Sequence, residues 1–337
     1  MEATSNEPVV LRWERLTKRQ FDALDRQRCV VLVTCSPLEV HGPHLPLGAD
    51  ALEGEGLAER MLQFLPERHR GKTYLKLPFI YAATDALPHA GSLFFRPSTT
   101  IAVLEDLGRS LASQGFRDVL VSNFHGSPRH FLAIEEACDR VSRARGIRMV
   151  CIFSVLIGRL TGGSAELYEV LGALPGVRRE DLVGDTHAGL VETSQLLALH
   201  PDWVEKDYAK LPRRTVDGWL EERGEGPPPI ERGKPAGLGA MIKAFRGALR
   251  FFREETYSGA PASASAELGV RILDTLAKHA AEAVSEFLDG TLPPEQWHSP
   301  LWPRRFIFVN PWMVRFFNRL LHVPEGVVQP VRAQSRL

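Results

Sequence analysis

The chain has 337 residues, 44% of them hydrophobic and 24% charged, which argues against a disordered protein and allows one large core or two domains. Lysine plus arginine equals aspartate plus glutamate at 41 each, so charge gives no reason to expect a nucleic acid or an anionic membrane as partner. No apolar run reaches the roughly 18 residues of a membrane span, "MEATSNEPVV" carries no leader pattern, and Cys29, Cys35, Cys138 and Cys151 show no CxxC spacing; the expectation is a cytoplasmic protein with buried, reduced thiols.

The first apolar run, "CVVLVTC" (Cys29 to Cys35), reads as a strand, and the helical pattern "ALEGEGLAERMLQFL" begins after Asp50. "YLKLPFI" (Tyr74 to Ile80) is a second strand. It precedes a helix from about Thr99 to Gln114, with Ser98 placed to cap the free N–H groups. "DVLVSN" (Asp118 to Asn123) is a third strand, Pro128 suits the first turn of a third helix, and "IRMVCIF" (Ile147 to Phe153) is a fourth strand. Strands nearly continuous in apolar residues, alternating with helices, predict an α/β fold with a mainly parallel central sheet covered on both faces. From about Glu205 to Tyr257 the composition shifts to charge, Gly and Pro, including "ERGEGPPPIERGKPAG", and reads as an exposed insertion or long loop. A strong helix returns from Ala262 to Leu288. The organisation expected is one α/β domain over residues 1–290, with an insertion at about 205–257, and a C-terminal extension over 291–337.

In parallel α/β sheets ligands bind beyond the carboxyl ends of the strands, so polar residues directly after apolar runs carry the functional signal. Glu39, His41, His44 and Asp50 follow the first strand in "LEVHGPHLPLGAD", and His125 follows the third in "SNFHGSPRH". A further segment, "GDTHAGLVETS", contributes Asp185, His187 and Glu192 at the start of a helix. Imidazoles and carboxylates without cysteine suit zinc, manganese, iron or nickel in an open, catalytic site rather than a closed structural one. Two residues apart on extended backbone, Glu39 and His41 point the same way. Asp50 can bridge two ions about 3.5–4 Å apart that share a hydroxide. A lone histidine is more often a hydrogen-bonded structural residue, and HGPHLP alone can be a turn; three clusters together favour a metal site. His44 is the member that can instead orient a ligand.

"EVHGPHLPLGAD" resembles the E-x-H-G-x-H-L-P-x-x-T-D signature of the creatininase (creatinine amidohydrolase) family. "HAGLVETS" is similar to that family's H-A-G-x-x-E-T-S segment, and "SGAPASASAELGVRIL" (Ser258 to Leu273) to its G-x-P-x-x-A-x-x-x-x-G element. The resemblance runs from about Val30 to Leu288. It implies a three-layer α/β/α metal-dependent amidohydrolase with two divalent ions (zinc, manganese or iron), and a homo-oligomer as large as a hexamer. By position, Glu39 would bind one ion and His41 the other, Asp50 would bridge them, and His125 would complete the first. His187 matches the catalytic histidine and Glu192 the acidic residue beside it.

Departures bear on the substrate. Where creatininase has a metal-binding Glu two places after the histidine of the third strand, this chain has Ser127, and Glu192 is the candidate to fill that gap. The family's S-x-E-H…F-P-G-T stretch survives only as "TDALPHAGS" (Thr84 to Ser92), with Asp85 near the acidic position. Asp85, Asn123 and Ser127 are therefore candidate substrate contacts in a remodelled pocket. The function expected is attack of a metal-held hydroxide on a small cyclic or formylated amide, cleaving a C–N bond. His187 serves as the acid for the departing nitrogen, oriented by Asp185 or Glu192. The alternatives are a peptidase trimming a small modified peptide in cofactor or natural-product maturation, and a non-catalytic assembly subunit.

Two basic amphipathic segments lie outside these motifs. "MIKAFRGALRFFRE" sets Ile242, Phe245, Leu249 and Phe252 against Lys243, Arg246, Arg250 and Arg253. After a helix start at Asn310 and Pro311, Met313, Phe316, Phe317, Leu320 and Leu321 follow the same period. These segments read as a subunit-contact or pocket-lid module rather than a membrane-surface helix.

Overall fold

The computed structural model describes residues 8–161, 167–226, 238–323 and 326. Five strands form one sheet: β1 (Val9–Arg12), β2 (Cys29–Thr34), β3 (Thr73–Lys76), β4 (Asp118–Ser122) and β5 (Arg148–Cys151). Their order is β1-β3-β2-β4-β5, and every pairing is parallel. Parallel neighbours need long crossovers. The chain provides α1 (Ala49–Phe64) between β2 and β3, α2 (Pro97–Ser113) before β4, and α3 (Pro128–Arg145) before β5. Next come α4 (Ile152–Thr161), α5 (Leu190–Leu199), α6 (Val216–Glu221), α7 (Leu238–Glu254), α8 (Ala266–Asp289), α9 (Arg305–Val309) and α10 (Pro311–Leu321).

The period-2 alternation of β2 divides its buried side chains between two layers. Val30 and Leu32 join Leu57 and Met61 of α1, Leu156 of α4 and Leu276 of α8. Cys29, Val31 and Val33 join Leu104 of α2 and Leu132 of α3. Each large side chain enclosed in this way contributes roughly 1.5–3 kcal/mol. Helices on both faces of the sheet make the three-layer α/β/α arrangement, and all four cysteines are buried and free.

Several boundaries move for local reasons. The edge strand β1 has no counterpart in the sequence reading: it is four residues long, with Val9 and Val10 exposed, and offers no alternation to detect. The ladder of β3 stops at Lys76, short of Pro78, a residue with no N–H to donate. Helix α4 begins at Ile152, where a strand was expected to continue. Pro97 takes the first helical position of α2, and Ser98, inside the helix, does not cap it.

The described part of 205–257 is more ordered than its composition suggests. Trp219 and Leu220 of α6 pack with Phe251 of α7 in a small core of their own, and Arg223 lies 3.7 Å over the Trp219 ring. The Gly/Pro-rich stretch 227–237 lies outside the described residues. Arg246 and Arg253 of α7 donate to the carbonyls of Leu320 and His322 at the end of α10. On α10, Met313, Phe317 and Leu321 are half-buried, whereas Trp312, Phe316 and Leu320 are exposed. No helix among the described residues is long and apolar enough to cross a membrane.

Candidate metal centre

The loop after β2 folds back on itself to bring its donors together. The Glu39 N–H donates to Leu47 C=O at 2.8 Å, and His41 bridges to Leu45. Gly42 turns the chain at φ 64°, where a Cβ would come within 2.7 Å of His44 Nδ1. Asp50 therefore enters in the first turn of α1, opposite the residues that precede it.

His41 and His125 are each aimed by a backbone carbonyl. His41 Nδ1–H donates to Glu39 C=O at 3.0 Å, leaving Nε2 to face Asp50 Oδ1 at 3.5 Å and Glu192 Oε2 at 3.8 Å. His125 Nε2–H donates to Thr84 C=O at 3.1 Å, leaving Nδ1 to face Glu39 Oε2 at 3.1 Å and Asp50 Oδ2 at 3.4 Å. Because a carbonyl only accepts, these bonds fix which nitrogen keeps its lone pair. The donor atoms fall into three groups, each within 4.8 Å: Glu39, Asp50 and His125; His41, Asp50 and Glu192; and Glu39, His41 and His187. Asp50 belongs to the first two and turns one oxygen toward each histidine.

Burial tests whether cations fit this place. Glu39, His41, Asp50 and His125 are buried, and Glu39 Oε2, His41 Nε2 and Asp50 Oδ2 have no hydrogen-bond partner among the described residues. Unpaired buried polar atoms are costly and need an explanation. A bound cation supplies one, and two neutral imidazoles with three carboxylates suit a divalent ion. The field points the same way. Burial opposes charge on His41, yet Asp50, Glu192 and Glu39 push its pKa up to about 10. His125 is likewise raised well above the usual range, against burial, by Glu39 and Asp50. Asp50, against burial, is held well below its usual value by those two imidazoles.

The other candidates occupy different surroundings. The His187 ring lies beside His41, tilted by 35° with centroids 4.2 Å apart, and donates Nε2–H to Val40 C=O at 2.8 Å. Burial first, then His41, lowers its pKa to about 4, which keeps the ring neutral. Its backbone exchanges hydrogen bonds with Ser258, so the late glycine-containing element holds the histidine in place. Phe252 of α7 meets the same ring edge-on; the 205–257 segment therefore reaches the site. Glu192 accepts from Ala188 N–H, and burial pushes its carboxyl up to about 7 despite the nearby His41. His44 is in none of the donor groups and bonds Thr193 Oγ1 on α5 at 2.8 Å.

Among the described residues no hydrogen bond joins Asp185 to the His187 ring. Its carboxylate accepts from Leu190 N–H at 2.6 Å and Val191 N–H at 3.0 Å, closing the start of α5. Buried Asn123 uses its amide on the backbone of His125, accepting from its N–H and donating to its C=O, and also accepts from Ser36 Oγ. Ser127 and Asp85 bond each other at 2.9 Å, and Arg129 holds the second Asp85 oxygen at 3.2 Å. Sequence reasoning missed Glu53, three residues after Asp50 on α1. It is fully buried with both oxygens unpartnered among the described residues, and burial, then Glu192 and Asp50, raise its pKa well above the usual range. The available signal was its i+3 spacing from Asp50, which puts both on one helix face.

The family model described as creatininase, creatinine amidohydrolase, matches residues 14–284. No curated protein sequence matches the chain. Among solved structures, the chain is similar to a manganese creatininase at 21% identity and TM-score 0.55, covering 86% of this chain and 100% of that one. It is also similar to a putative creatinine amidohydrolase from Bacteroides fragilis at 19% identity and TM-score 0.53, with 82% and 95% covered. A mutant creatininase of Zn-Zn type gives 19% identity and TM-score 0.53, with 84% and 98% covered.

Proposed function

Since the chain belongs to the creatininase family, we propose that it hydrolyses a C–N bond in a small cyclic or formylated amide with two divalent cations. The observation that carries this reading is Asp50, whose two oxygens face His41 on one side and His125 on the other. Glu39, Asp50 and His125 would hold one cation, and His41, Asp50 and Glu192 the second. When bound, the pair supplies an activated water and polarises the amide carbonyl.

The chain's own residues do the rest. His187 keeps its proton on Nε2 through Val40 and offers Nδ1 as the acceptor. It takes a proton from the attacking water there and passes it to the departing nitrogen. Glu192 both holds a cation and ties the mouth of α5 through Ala188. Asn123 fixes the backbone that carries His125, while the Asp85–Ser127–Arg129 set forms a polar rim. The manganese and Zn-Zn creatininase structures support manganese or zinc as the ions. Creatinine itself is not the substrate proposed, because Ser127 stands where creatininase has a carboxylate ligand.

Metal analysis of the purified chain loaded with manganese or zinc tests this. Two ions per chain are expected, together with hydrolysis of a cyclic or formylated amide. Asp50→Ala should lose both ions and the activity; a variant with unchanged metal content overturns the bridging role.

A further inference from the structure

Beside His187 and Glu192 lies a cavity of about 180 Å³. Its walls are mostly hydrocarbon, from Phe124 after β4, Phe153, Leu156, Ile157 and Leu160 of α4, and Val191 of α5; of the two hydroxyls in the lining, Thr161 donates to Ile157 C=O and Thr186 lies at the exposed edge. Phe124 and Phe153 meet edge to face, with centroids 6.0 Å apart at 66°. The acidic side chains in its lining are Asp185 and Glu192, and the basic one is His187. Asp185 already accepts two backbone N–H groups and Glu192 a third. A charged or strongly polar ligand group placed deep in this space would lose its water without gaining a partner.

From this juxtaposition we infer that the substrate of the amide-hydrolysing site carries a compact, uncharged hydrocarbon group, and that the cavity receives it. The inference rests on the proposed reaction for the bond to which the group is attached. The size limit follows from volume. An apolar cavity of about 150 Å³ holds one benzene ring, so this space takes a phenyl ring or a branched alkyl group and not a fused ring system. The location follows from the lining: His187 and Glu192 border the same space, which puts the hydrocarbon next to the reacting bond. Gly126 also borders the cavity, and a Cβ added there would meet nothing within 4 Å. The rigid walls come from α4 and α5, so Phe153 and Ile157 would act as specificity-determining residues.

The test uses the metal-loaded full chain and reads binding apart from turnover. Calorimetry with acetamide, isovaleramide and phenylacetamide should show affinity rising by on the order of 10²-fold across the series, the factor expected for enclosing one Leu- or Phe-sized hydrocarbon group. Ile157→Phe, which fills the cavity, should erase the advantage of phenylacetamide while sparing acetamide. Phe153→Ala, which enlarges it, should admit 1-naphthylacetamide. Equal affinity for acetamide and phenylacetamide in the wild type overturns the inference, as does an unchanged preference in both variants. Turnover of hydantoin, 5-isobutylhydantoin and 5-benzylhydantoin is measured in parallel. Hydrolysis favouring the substituted rings supports both readings. A retained phenylacetamide preference without hydrolysis of any ring supports the cavity assignment and counts against the proposed reaction on cyclic amides.

Discussion

Gly189→Ala isolates the packing that aims the candidate catalytic residues. Gly189 precedes α5 at φ −95°, outside the left-handed region, and the space around it is what leaves no room for a side chain. A Cβ there would lie 1.7 Å from Asp185 Oδ1 and 2.9 Å from the Gly259 Cα, inside any tolerable contact. Either Asp185 leaves Leu190 and Val191, or the start of α5 moves away from the Gly259 backbone. Loss of a helix cap costs about 1 kcal/mol, and overpacking a rigid site typically adds 1–3 kcal/mol. A destabilisation of roughly 2–4 kcal/mol follows, measured by urea denaturation of the metal-free protein. Because Gly189 sits between His187 and Glu192, a displacement of about 1 Å should also lower turnover by around 10²-fold. Asp185→Ala removes the first atom the methyl group strikes, so the double variant should cost less than the sum of the two single ones. A Gly189→Ala protein within about 0.5 kcal/mol of wild type, with additive behaviour in the cycle, refutes the reasoning.

His187→Ala should retain both ions and lose roughly 10²–10⁴-fold in kcat; metal loss, read by elemental analysis, would make His187 a ligand with Glu39 and His41 instead. Glu192→Gln should weaken one ion selectively, whereas Ser127→Ala, which breaks a bond to Asp85, should leave metal per chain unchanged; the reverse result would exchange their roles. Glu135, fully buried in α3, has its pKa pushed up to about 7 by burial, against the hydroxyls of Ser154 and Ser299 and the Ser299 N–H. Its folded pKa lies above its unfolded one, so its contribution is complete below about pH 4.5 and is lost by about pH 7, a fall of roughly 3 kcal/mol. Glu135→Gln should remove that slope from the stability profile, and parallel profiles for the two proteins would exclude it.

The parts of the fold that were readable share one physical property. Strands β2, β4 and β5 are covered on both faces, and continuous apolar runs announce them. β1 has a bare edge and only four residues, so no pattern marks it. Helix α6 was hidden for a related reason: its six residues bury two side chains, Trp219 and Leu220, and the surrounding charge, glycine and proline outweigh them. Which segments share a core was not readable at all. That α7 delivers Phe252 to His187 depends on the path of the whole chain after α6.

At the site, position along the chain was readable and pairing was not. Residue types after strands picked out side chains that the fold groups together, because the crevice beyond the carboxyl ends of parallel strands is fixed by the fold. What each side chain bonds is set by tertiary neighbours: Asp185, one of two candidates to orient His187, closes the start of α5, and Asn123, a candidate substrate contact, grips the His125 backbone. The histidines show why a loop rich in glycine, proline and leucine suits this task. Helix and strand backbones use most of their carbonyls internally. The loop leaves Glu39 and Val40 C=O free to accept N–H hydrogen bonds from His41 and His187, and Thr84 C=O does the same for His125. Each carbonyl settles a tautomer and turns the remaining nitrogen inward. Such pinning leaves no signature in residue type, since every residue has a carbonyl; it appears only when the chain is folded.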